Sequence, residues 1–156
     1  MEFEVYGPIV NQTGGSFVAT GISDDNLMGD DRVIECSWLV GEADFNVKQS
    51  YNQAKTANGG PKNVRIDGEQ ANRGKMVVQT AMAKADGKVY CKATVLVDGS
   101  LGTQYYYKLK RGEKKFLLLA SGKAGDKGLI THYGFDHYAP ADTEAVHMQN
   151  PGLSKL

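Results

Sequence analysis

Four segments of alternating apolar and polar residues lie between residues 75 and 121, and they constrain the fold more than any other part of the sequence. The segments and the turns that separate them are 75–85, Asp86-Gly87, 88–97, Asp98-Gly99, 101–110, Arg111-Gly112 and 114–121. An alternation with a period of two is typical of a strand that buries one face. Asp-Gly tolerates the positive φ values that a tight hairpin turn requires. The sequence therefore predicts an antiparallel meander over residues 75–121.

The rest of the chain predicts further strands at 1–6, 16–22, 32–40, 63–67 and 127–138. Together with the meander this indicates a single all-β domain over residues 1–156, an antiparallel barrel or sandwich of about nine strands. Residues 43–48 fit another strand, but 47–57 fit a short helix equally well because Val47, Tyr51 and Ala54 share one helical side. Residues 139–156 contain two prolines and predict an extended C-terminal arm.

Charge and cysteine content limit the partners and the location of the protein. Eighteen basic and eighteen acidic residues balance, so no strong field attracts nucleic acid and no net charge opposes self-association. The N-terminus alternates like a strand and lacks the features of a signal peptide, and no segment has the ~20 apolar residues of a membrane span. We expect a cytoplasmic protein or a component of a virion or another assembly. Cys36 and Cys91 allow at most one disulfide and are predicted to be two buried thiols.

The acidic loop between the second and third predicted strands is the main candidate for a metal site. Its aspartates are Asp24, Asp25, Asp30 and Asp31, and carboxylate oxygens are the ligands that hard cations prefer. The alternative, which we favour, is a solvated acidic loop without a metal.

His132 and Asp136 are the only candidates for catalysis. In an extended strand they share a face, and a carboxylate beside a histidine can orient a general base. No recognisable nucleophile motif accompanies them. We therefore predict no catalytic residue and no cofactor.

Three aromatic residues, Trp38, Tyr105 and Tyr107, are the candidates for ligand binding. Trp38 is the only tryptophan and is predicted to anchor the core, with its ring close to a barrel interior or rim.

The leading functional hypothesis is a non-catalytic structural protein that assembles with itself through strand edges and the C-terminal arm, as a tube, ring or shell subunit. One alternative is a β-barrel module that binds a small apolar or carbohydrate ligand, and a His132/Asp136 enzyme is the other.

Overall fold

A computed structural model of the protein describes residues 2–25, 29–53, 63–66, 77–95, 114–129, 138–140 and 146–147. These residues form ten strands and no helix. The strands are β1 Glu2–Pro8, β2 Ser16–Ser23, β3 Asp31–Trp38, β4 Asn46–Asn52, β5 Asn63–Arg65, β6 Val77–Ala85, β7 Lys88–Val95, β8 Lys114–Lys123, β9 Tyr138–Pro140 and β10 Val146–His147. The predicted all-β class is confirmed.

A three-stranded antiparallel sheet has the order β1-β7-β6. The predicted hairpin around Asp86-Gly87 is confirmed, because β6 and β7 pair antiparallel on either side of this turn. Asp86 and Gly87 have φ values of 51° and 70°, and two consecutive positive φ values belong to the type I′ turn that Asp-Gly favours. The N-terminal strand β1 pairs with the other edge of β7, with Val5 opposite Cys91.

The larger antiparallel sheet has the order β10-β8-β2-β3-β4-β5, with β9 also paired to β8. Its long pairings join distant parts of the chain, since Ser16 in β2 lies opposite Trp38 in β3 and Lys123 in β8. The described parts of the C-terminal region, 138–140 and 146–147, pair with β8 of their own chain. The remainder of the predicted arm 139–156 lies outside the described residues.

The prediction of a continuous meander over 75–121 is wrong. Both edges of β7 are occupied, by β6 and by β1, and β8 lies in the larger sheet beside β2. Alternation identifies the buried face of a strand, but it does not identify the strand that occupies each hydrogen-bonding edge. The predicted strand at 101–110 lies outside the described residues.

The alternative prediction of a helix near 47–57 is wrong for the part of it that is described. Residues 46–52 form β4, which pairs with β3 from Asp31↔Asn52 to Ser37↔Asn46. The helical pattern depended on three apolar residues, whereas pairing with β3 on one edge, and with β5 on part of the other, satisfies backbone groups along this segment. Residues 54–57 lie outside the described part of the chain.

The two sheets pack on each other through an apolar core and a disulfide. Val5, Val89 and Cys91 of the small sheet pack with buried residues of the rest of the chain, Val18, Cys36 and Phe45. Cys36 and Cys91 are bonded, with Cα atoms 6.1 Å apart, and both are 0 % exposed. The predicted burial of both cysteines is confirmed. The prediction that they are free thiols is wrong: β3 and β7 face each other across this core, so the two cysteines form a disulfide.

The opposite face of the larger sheet is also covered. Consecutive β3 residues Ile34 and Glu35 are both 0 % exposed, and Phe17, Ala19, Val33, Leu39 and Ala124 form a second buried cluster. Polar side chains on this face therefore need partners within the protein. Within the described ranges, no helix is long and apolar enough to cross a membrane.

Candidate functional site

A cleft of about 400 Å³ opens between the end of β3 and the turn that joins β6 to β7. Ile9, Trp38 and Phe45 supply its large apolar side chains, and Gln12, Lys84 and Asp86 supply its polar side chains. Ala43, Ala85 and Gly87 complete the lining. We call this site the Trp38 cleft. Its volume lies within the range of small-molecule sites in proteins.

The indole of Trp38 is held in place by the turn that follows β3. Trp38 Nε1 donates a hydrogen bond to the main-chain oxygen of Glu42 at 2.7 Å. The Glu42 carboxylate accepts from Leu39 N at 2.9 Å and from Lys48 Nζ at 2.5 Å. Burial acts to raise the pKa of Glu42, but the hydrogen bonds from Lys48 and Leu39 outweigh it and the pKa is lowered. The carboxylate is therefore charged at neutral pH and keeps the turn closed beneath the indole.

Phe45 forms the second aromatic wall and is linked to β6. The Trp38 and Phe45 ring centroids are 6.1 Å apart at an interplanar angle of 52°, a tilted arrangement that aromatic pairs favour. Asp44 Oδ1 accepts from Phe45 N at 2.7 Å and from Lys84 Nζ at 2.7 Å. The hydrogen bond from Lys84, followed by that from Phe45 N, lowers the pKa of Asp44. The Trp38 ring is therefore held by its hydrogen bond, and the Phe45 ring is held by its burial in the core.

The β6–β7 turn closes the third side of the cleft. Ile9 N donates to Gly87 O at 2.7 Å, which places the apolar Ile9 side chain beside the turn. Gln12 Nε2 lies 3.5 Å from the position that a Cβ on Gly87 would occupy. Gln12 and Asp86 are exposed, so their polar ends are available at the rim of the cleft.

A second polar cluster lies on the opposite, covered face of the larger sheet. Ser37 Oγ and Ser50 Oγ donate to the two oxygens of Glu35 at 2.9 and 2.8 Å, and Arg65 Nε lies 3.9 Å from Glu35 Oε1. Burial raises the pKa of Glu35 in spite of these partners. Because Glu35 is 0 % exposed, no substrate reaches it in this conformation.

This buried cluster extends across three strands. The amide nitrogen of Asn63 donates to Ser50 Oγ at 2.9 Å and to Asn52 Oδ1 at 3.0 Å. Asn52 Nδ2 in turn donates to Asp31 Oδ2 at 3.3 Å. One amide in β5 therefore connects two carboxylates of β3 through β4. The cluster attaches the three-residue strand β5 to the sheet, which is a structural role.

The aspartates of the predicted cation site have separate partners. Asp24 forms an ion pair with Lys115, Asp30 accepts from Tyr51 Oη at 2.8 Å, and Asp31 accepts from Gly29 N at 2.8 Å. The Asp25 carboxylate accepts from Ser23 Oγ at 3.5 Å, and Asp25 N donates to the same hydroxyl at 3.2 Å. In the part of the chain that the structure describes, no group of three His, Cys, Asp or Glu side chains is arranged to hold a metal ion.

Of the residues predicted to bind a ligand, Trp38 lies in the cleft. Tyr105 and Tyr107, and the candidate catalytic pair His132 and Asp136, lie outside the described residues. The sequence did not identify Phe45, Gln12 or Asp86 as neighbours of Trp38, because they come from three separate segments. In the sequence, Asp86 indicated only a tight turn.

The chain matches no protein-family model, no curated protein and no solved structure.

Proposed function

We propose that the protein is a non-catalytic binding module that takes a small ligand in the Trp38 cleft. The observation that carries this proposal is the indole of Trp38, held by a hydrogen bond to Glu42 O and packed against the buried Phe45 ring at the wall of a 400 Å³ cleft. Fixed aromatic rings bind with little loss of conformational entropy, and a few polar groups beside them orient the ligand.

The proposal is tested with the single tryptophan as the reporter. A mixture of small phenyl, indole and cyclic polyol fragments is added to the protein, and the indole N–H resonance of Trp38 is followed by NMR. We expect some fragments to shift this resonance. Ala43→Tyr fills the cleft and is expected to abolish the shift, whereas Ala81→Tyr, at an exposed alanine of β6 that does not line the cleft, leaves it intact. A resonance that no fragment moves would overturn the proposal.

Self-assembly is the second candidate function, and the outer edge of β6 supports it. Among the described strands β6 pairs only with β7, and Ala81, Ala83 and Ala85 are exposed. Lys84, the only charged residue of β6, is paired with Asp44 at 2.7 Å, so two copies of this edge do not repel each other. A β-bulge lies between Gln79 and Ala81, which leaves residues 81–85 as the regular part of the edge. Such an edge favours pairing with a second chain.

Solution mass by light scattering across a hundred-fold concentration range tests the assembly. A mass that rises with concentration supports it, and Ala83→Lys on the edge should lower that mass because charge protects strand edges. Thr94→Lys places the same charge on the exposed face of the central strand β7 and serves as the control. A constant monomer mass would refute assembly through this edge.

We further propose that the two sheets form a sandwich rather than a closed barrel. The packing of the three-stranded sheet on the larger one, and the disulfide between them, support this arrangement. A disulfide also favours an oxidising setting or an assembled particle over the cytoplasm.

A further inference from the structure

The polar atoms that surround the Trp38 cleft restrict the chemical class of its ligand. The indole N–H is already bonded to Glu42 O, and Phe45 has no polar side-chain atom. Phe45 is only 2 % exposed, so Trp38 supplies the aromatic surface that a ligand contacts, and this surface is apolar. A ligand must present an apolar face to it and must find its hydrogen bonds at the rim.

The rim offers both donors and acceptors. Gln12 carries an amide, and Asp86 carries a carboxylate. Within the described residues neither side chain has a hydrogen-bond or ion-pair partner. Asp86 precedes Gly87 in the turn, and Gln12 Nε2 lies 3.5 Å from the position that a Cβ on Gly87 would occupy. An amide and a carboxylate in the lining of one cleft can donate to and accept from the hydroxyl groups of a ligand.

The openness of the cleft argues against a wholly apolar ligand. Gln12, Lys84 and Asp86 are exposed, so a ligand in the cleft keeps one side in water. A purely apolar ligand would leave that side hydrated and would lose much of the benefit of burial. A ligand with one apolar face and polar edges buries its apolar face against the wall and keeps its polar edges in water.

The charge of the rim argues against an anionic ligand. Lys84 is neutralised by Asp44 at 2.7 Å, which leaves the carboxylate of Asp86 as the uncompensated charge of the lining. A negative group on the ligand would lie beside this carboxylate and be repelled.

We propose that the Trp38 cleft binds a neutral sugar ring, with its C–H face stacked on Trp38 and its hydroxyl groups bonded to Gln12 and Asp86. A pyranose combines an apolar face with hydroxyl-bearing edges, which is the combination that the walls and rim require. This assignment rests on the proposed binding function and adds the class of ligand to it.

The test is a titration of the full chain with glucose, galactose, mannose, N-acetylglucosamine and their disaccharides, followed by the fluorescence of Trp38. Glucuronate is the anionic comparison, and phenyl and indole fragments are the non-sugar comparison. We expect at least one neutral sugar to change the fluorescence, and glucuronate to bind at least several-fold more weakly than its neutral counterpart.

Two variants with matched controls locate the interaction. Asp86→Asn keeps a residue that tolerates the positive φ of 51° and should weaken sugar binding about tenfold, because the amide oxygen still accepts but the hydrogen bond is no longer assisted by charge. Asp126→Asn removes an exposed carboxylate elsewhere and should change nothing. Trp38→Phe keeps an aromatic residue in the core and should weaken the sugar when binding is followed by calorimetry. Tyr6→Ala, which removes an exposed aromatic ring outside the cleft lining, should have no effect.

The outcomes separate the two proposals. If fragments bind at the cleft and neutral sugars do not, the sugar assignment is wrong and the binding function stands. If neither class binds, both are wrong. Sugar binding that Asp86→Asn leaves unchanged, or tighter binding of glucuronate, would also overturn the assignment.

Discussion

Two carboxylates of this protein show how burial and hydrogen bonding compete at single residues. Glu42 is partly buried and has two strong donors, so its pKa is lowered. Glu35 is fully buried, and desolvation raises its pKa although two serines donate to it. The first carboxylate is therefore favoured in its charged form by the fold, and the second is not.

Glu42→Ala should destabilise the protein by about 1–3 kcal/mol, because it removes the acceptor for Leu39 N and for the partly buried Lys48. Urea unfolding followed by Trp38 fluorescence measures this change. The control is Glu4→Ala, which removes an exposed ion pair with Lys92 and should change stability by less than about 0.5 kcal/mol. Equal effects of the two substitutions would contradict the role given to Glu42.

The pH dependence of stability should change in Glu35→Gln. A carboxyl group whose folded pKa lies above its unfolded value stabilises the fold most at low pH, and this contribution is lost as the pH rises through the folded pKa. The free energy of unfolding of the natural protein should therefore fall as pH increases above about 4.5, the ordinary value for glutamate. Urea unfolding at a series of pH values should give a flatter profile for the variant. Parallel profiles would show that Glu35 does not titrate as the structure requires.

At the scale of strands, the sequence pattern correctly predicted which face of a strand is buried, but it did not predict which strands pair with its edges. Val89, Cys91, Ala93 and Val95 alternate in β7, and all four are buried as the pattern indicated. The same pattern gave no information about the edges of β7, where the N-terminal strand β1 replaced the expected neighbour. The cleft could not be predicted for a related reason. Its lining comes from segments near residues 9, 38–45 and 84–87, and only the packing of the two sheets brings them together.

The β6–β7 turn should depend on glycine at one position. Gly87→Ala places a Cβ in the left-handed region, since Gly87 has a φ of 70°, and should destabilise the hairpin by about 1–2 kcal/mol. Gly14→Ala is the comparison, because Gly14 does not have a left-handed φ and its nearest neighbour is the end of the Asn11 side chain at 3.4 Å. Thermal unfolding of both variants measures the difference, and a Gly87→Ala variant as stable as Gly14→Ala would contradict the positive φ at this position.

For the whole molecule, the disulfide between the sheets is the strongest single constraint. It joins residues 55 positions apart, and a loop of that length implies a stabilisation of about 4 kcal/mol by restriction of the unfolded chain. The Cys36→Ala/Cys91→Ala double variant should lose about this amount in urea unfolding. Protein purified without reductant and then denatured should contain no free thiol. Two free thiols per chain would disprove the bond.

Chain order also affects how the protein is made. β2 ends at Ser23, and its partner β8 begins at Lys114, about ninety residues later. During translation at roughly 5–20 residues per second, one edge of β2 has no partner for roughly 5–20 s after that strand is synthesised. β1 likewise has no partner until β7 is synthesised. The nascent chain therefore exposes the apolar strand β2 on the ribosome for seconds, and a chaperone that binds extended apolar segments has time to act before either sheet is complete.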